Sequence, residues 1–152
     1  MHAVDGPPRH YRGRGIAFEY PRTWSHRRRG WIATIAENFL DLGTQPVGDP
    51  CRTRGNSTSC GLPAEHLRRN GVLVSWVIEE GIPLRDRPRP GTRVTVERPG
   101  ACRAVHASEA ISARVVTARH EILLVTACLR GPRLRGNAVA VRAMLASVRS
   151  AG

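Results

Sequence analysis

Cys60, His66, Cys102 and His106 are the two side-chain types that bind zinc, and four such groups are enough for a tetrahedral site. Five residues separate the first pair and three the second, a spacing that matches no familiar zinc module, so no metal ligands are assigned. A cysteine nucleophile needs a neighbouring base and a depressed pKa; His66, His106 or His120 would serve only if the fold brought one close. A thiol-based enzyme therefore stays an alternative. The four cysteines, Cys51, Cys60, Cys102 and Cys128, are an even number in a small chain, which favours disulfides. Pairing Cys51 with Cys60 closes a loop of about ten residues, worth about 2.5–3 kcal/mol in the chain-entropy model. Cys102 and Cys128 then pair by elimination.

The run Ser25-His26-Arg27-Arg28-Arg29-Gly30 lies between Trp24 and Trp31. Cations flanked by aromatic rings suit phosphate contacts and base stacking, so Arg27, Arg28 and Arg29 are the candidate anion-binding residues. The bland alternative is a solvated loop with both tryptophans packed inward. Arg85, Arg87 and Arg89 carry the same bland reading, as solvated positions in a proline-rich connection.

Other chemistry is thinly represented. The adjacent carboxylates Glu79 and Glu80 point to opposite faces of a strand, so they cannot act together as acid and base. Arg12-Gly13-Arg14-Gly15 precedes a strand, so it lacks the helix N-terminus that cradles a phosphate. Asn56-Ser57-Thr58 fits a glycosylation acceptor by chance. We expect a non-enzymatic protein with no cofactor.

All 24 basic residues are arginine against 12 acidic ones, giving a formal charge of +12. The lack of lysine is a mark of GC-rich coding, read here as that of a high-GC bacterial genome. Weak, non-specific attraction to polyanions still follows from the charge. No stretch nears the roughly 18 apolar residues of a transmembrane helix, and residues 1–15 lack the apolar centre of a signal peptide, which points to the cytoplasm. The even cysteine count points instead to an extracytoplasmic, oxidising compartment.

A chain of 152 residues suits one domain. Residues 1–14 read as a flexible N-terminal arm and residues 15–150 as a single α+β domain. Ile16, Phe18 and Tyr20 alternate with Ala17 and Glu19, predicting a half-buried strand over 15–20 that Pro21 ends, with Trp24 folding back over it. Residues 31–36 and 39–44 read as two further strands, and 45–61 as a loop without periodicity. Residues 62–70 suggest one or two helical turns with Leu62, His66 and Leu67 inward. Both faces of 72–78 are largely apolar, which places that strand centrally. After an extended connection over 82–91, strands are expected at 92–97, 110–118 and 121–129, the last two as an antiparallel hairpin. Leu134, Ala138, Val141, Leu145 and Val148 recur at helical spacing and predict a C-terminal amphipathic helix, with Asn137 as N-cap and Arg149 at its negative end.

The segment Gly15-Ile16-Ala17-Phe18-Glu19-Tyr20-Pro21-Arg22-Thr23-Trp24 resembles the opening of Mog1/PsbP-like α/β/α domains, which often begin with an aromatic strand, Tyr-Pro and a nearby Trp. Those domains also close with a hairpin and a helix ending in an apolar-Ser motif like Leu145-Ala146-Ser147-Val148. The chain departs from that pattern in its very short central helix candidate and its cysteine-bearing loop. The resemblance implies an antiparallel sheet packed by the C-terminal helix in a Mog1/PsbP-like sandwich. It also implies a role in binding an unknown protein partner or in assembly, with no shared catalytic residue.

Overall fold

The computed structural model describes residues 6–28, 30–49, 51–62, 66–97 and 100–151. Strand β1 (Arg9–Gly13) passes into β2 (Ile16–Tyr20) through Arg14 and Gly15, whose φ angles are 51° and 78°. Two left-handed residues make a hairpin turn whose twist matches its strands, and glycine takes that conformation without a Cβ clash. There follow β3 (Ser25–Arg28), β4 (Ala36–Gly43), β5 (Cys51–Arg54), β6 (Ser57–Cys60), β7 (Val72–Glu79), β8 (Gly91–Glu97), β9 (Glu109–Val116) and β10 (Ile122–Leu129). Helix α1 (Leu134–Ala146) and a short strand, β11 (Arg149–Ser150), complete the described elements.

The chain is α+β, with antiparallel sheets and one C-terminal α-helix among the described residues. The main sheet has the order β3-β4-β7-β10-β9-β8, and a smaller one has the order β1-β2-β11. One face of the main sheet, here the inner face, is covered by the small sheet and by α1, which packs against β2, β8, β9 and β10. Period-two alternation explains the layer: Val72, Val74, Trp76 and Ile78 of β7 all project inward and are buried. Phe18 of β2 stacks on Trp76 with ring centroids 4.4 Å apart, joining the two sheets. Val141, Met144 and Leu145 bring the helix stripe into the same core.

On the outer face, a second cluster of Leu67, Leu73, Cys102, Val105, Ala110 and Cys128 covers only one end of the sheet. The 3-10 turn Ala101–Val105 and the segment around Leu67 form this cover, and Leu67 N donates to Val105 O at 2.9 Å. Toward the middle of that face the outward row of β7, β10, β9 and β8 is Ser75, Thr126, Ser112 and Thr95, all polar, running from buried Ser75 to exposed Thr95.

Several local expectations are corrected. Within the expected arm, residues 9–13 form β1, because Tyr11 buries its ring 5.1 Å from Phe18; residues 1–5 lie outside the described residues. The charge run at 25–28 is strand β3, whose polar residues hide the alternation normally used to find a strand. Residues 31–36 form no full strand, and β4 runs through 36–43 with a bulge between Asn38 and Leu40. The loop over 45–61 contains the hairpin β5–β6, which exposes nearly all its side chains and so leaves no hydrophobic period. Around 62–70, Leu67 is buried but His66 is exposed, and residues 63–65 lie outside the described ones. Helix α1 begins at Leu134, so Asn137 is no N-cap; its Nδ2 donates to Asn70 O at 2.8 Å. Arg149 sits in β11, opposite Ala17, and not in the last helical turn.

Candidate functional site

All four cysteines are bridged, Cys51 to Cys60 across the β5–β6 hairpin and Cys102 to Cys128 beneath the second cluster. The second pair is buried, with its Cα atoms 5.4 Å apart. In this bridged form none of the four cysteines is a free thiol. His66 and His106 do meet, their rings stacked 4.0 Å apart, but Cys60 and Cys102 are committed to other partners. Among the described residues no group of three or more histidine, cysteine or acidic side chains is placed to hold a metal.

The structure separates the arginines of the charge run. Arg27 and Arg28 are neighbours on β3 and project to opposite faces, while Arg29 lies outside the described residues. Arg28 lies over the Tyr11 ring at 5.1 Å, and Arg14 lies over Phe39 at 5.5 Å while pairing with Glu37 at 2.6 Å. These residues line a cleft of about 410 Å³ together with Gly30 and Ile32. Burial pushes the Tyr11 hydroxyl above its ordinary pKa, against the pull of Arg28 and Arg14. Trp24 is buried in the core, so the pair of flanking rings expected to stack a base does not exist. Arg87 also leaves the solvated set: its Nε donates to Ile82 O at 2.9 Å.

Arg27 stands opposite Asp41 in register, beside a polar knot on the outer face. Asn38 Nδ2 donates to Asp41 Oδ1 at 3.0 Å and lies 3.1 Å from Ser75 Oγ. Asp41 is fully buried, and Oδ2 has no hydrogen-bond partner among the described residues. Desolvation raises its pKa from 3.8 to about 6, while Asn38, Ser75 and the Arg27 charge pull the other way. The knot also dictates Gly30, since a Cβ there would fall 1.5 Å from Asn38 Oδ1.

Beside this knot lies a groove of about 490 Å³ lined by Trp31, Leu62, Val77 and Val105, with Ser75 and Thr126 also on its wall. The following loop leaves Ile32 and Ile35 82% and 66% exposed. It is a firm hairpin: Asn38 N donates to Trp31 O at 2.8 Å, and Glu80 N donates to Ile35 O at 2.7 Å. Sequence reasoning missed the groove because its walls come from five separate segments. The apolar outward residue Val77 was its one visible signal. Farther along the same face, Arg93 of β8 faces Arg114 of β9, both exposed.

No family model, curated protein or solved structure matches this chain. Among the described residues no helix is long and apolar enough to cross a membrane.

Proposed function

We propose that this chain is a non-enzymatic binding module that accepts an apolar anchor of an acidic protein partner in the groove beside Trp31. The observation that carries this reading is the groove itself, about 490 Å³ with apolar walls; the loop that continues from its Trp31 also leaves Ile32 and Ile35 exposed. A monomer gains nothing by holding large apolar side chains in water on a firm loop, and such patches mark interaction sites. The charge of +12 selects an acidic partner and speeds the encounter. A Mog1/PsbP-like sandwich is the finer fold assignment we propose, since domains of that kind mostly serve binding or assembly. The two cysteine bridges support an oxidising, extracytoplasmic location.

The test is NMR titration with a capped peptide carrying one leucine flanked by glutamates. Shifts of the Trp31 indole N–H and the Val77 methyls, with binding weakened in both Trp31→Ala and Val77→Thr, are the expected result. Equal binding of an all-glutamate peptide, abolished by added salt and indifferent to both substitutions, would show only polyanion attraction and sink the groove reading.

A further inference from the structure

We propose that strand β8 is a docking edge at which an extended acidic segment of a protein partner adds as a seventh strand to the main sheet. The two ends of this sheet differ. At one end β3 has four residues, among them Arg27 and Arg28, the short and charged form that discourages pairing. At the other, β8 pairs residue for residue with β9 from Gly91↔Val116 to Glu97↔Ala110, without proline or bulge. Gly91 through Thr95 are exposed, so this straight edge offers its outer backbone groups to another strand.

The side chains define the chemistry of the incoming strand. Arg93 stands directly opposite Arg114, and neither forms an ion pair among the described residues. Like charges directly opposed across a sheet repel, and a third strand places one residue immediately beside Arg93. A carboxylate at that position pairs with Arg93 and relieves the row. The next residue of the incoming strand lies beside Val94, which faces the helix side of the sheet and is 37% exposed. An apolar side chain there covers it. The recognised segment thus alternates acidic and apolar residues. A second copy of this chain is disfavoured as the occupant, because it brings together two molecules of charge +12.

This inference rests on reading the chain as a protein-binding module, but it concerns a surface separate from the Trp31 groove. The probe is a short capped peptide alternating glutamate with valine, titrated into the intact, disulfide-bonded protein and followed by backbone amide shifts and hydrogen exchange. Expected are shifts centred on residues 91–95, slowed exchange there, and binding about tenfold or more weaker when Arg93→Glu and Arg114→Glu are combined. The same peptide N-methylated at alternate residues keeps its charge and apolar content but cannot complete a strand ladder, so it should not bind. Equal binding of the N-methylated peptide, or no binding of the parent at millimolar concentration, overturns strand addition. Binding that is lost in Val77→Thr but kept in the double arginine variant also overturns it, while leaving the groove reading intact.

Discussion

Ser147 Oγ accepts a hydrogen bond from the Glu19 backbone N–H at 2.8 Å and donates to Met144 O at 2.6 Å. One hydroxyl thus ties the end of α1 to the far end of β2, across 128 residues of chain. The N–H of Glu19 loses its partner if that oxygen is removed, and an unsatisfied, partly buried amide costs more than the net worth of its hydrogen bond.

Ser147→Ala should therefore destabilise the fold by about 1–2 kcal/mol, with Leu145→Ala, which empties a buried site two residues before the join, costing about 2–5 kcal/mol. Urea unfolding of both variants checks the order. An unchanged midpoint for Leu145→Ala would mean that the helix stripe does not carry the core.

Asp41 makes stability depend on pH. Its folded pKa, about 6, exceeds the ordinary 3.8, so between those values the folded chain holds a proton that the unfolded chain has released. Stability falls as pH rises through that window and levels off above it; a shift of this size corresponds to about 3 kcal/mol. Denaturant titrations at pH 4, 5, 6 and 7.5 should show the slope in the parent protein and a flatter profile in Asp41→Asn. Parallel profiles would remove Asp41 as the source.

The two bridges should contribute unequally. Cys102 and Cys128 are 26 residues apart and Cys51 and Cys60 nine, so chain entropy assigns about 3.5 kcal/mol to the first pair and about 2.7 to the second. Replacing Cys102 and Cys128 by alanine also disturbs the buried cluster with Leu67 and Val105, widening the difference. Thermal unfolding of the two double variants measures it, after peptide mapping of the unreduced protein has found both linked pairs. Four alkylatable thiols in protein isolated under thiol block would contradict the bridged structure.

Where a segment buries one face, its sequence alone determined its form. The alternation of Ile16, Phe18 and Tyr20, the doubly apolar run from Val72 and the helical stripe ending in Leu145 all correspond to observed elements. Burial leaves a periodic trace in each of them, and that trace is local. Strands β1, β3, β5 and β6 left no comparable trace, because most of their side chains stay wet and their existence depends on the strand each pairs with. The start of α1 shows the same limit: the backbone N–H of Arg133, at the helix N-cap, is satisfied by Asn70 Oδ1 at 2.8 Å, a partner 63 residues away. Among the candidate site residues, the cysteine pairs were legible from count and loop length, whereas Arg27 and Arg28 looked like one patch until β3 turned them to opposite faces. The Trp31 groove and the Arg93–Arg114 pair exist only through strand register, a relation between distant segments that no local pattern of residues encodes.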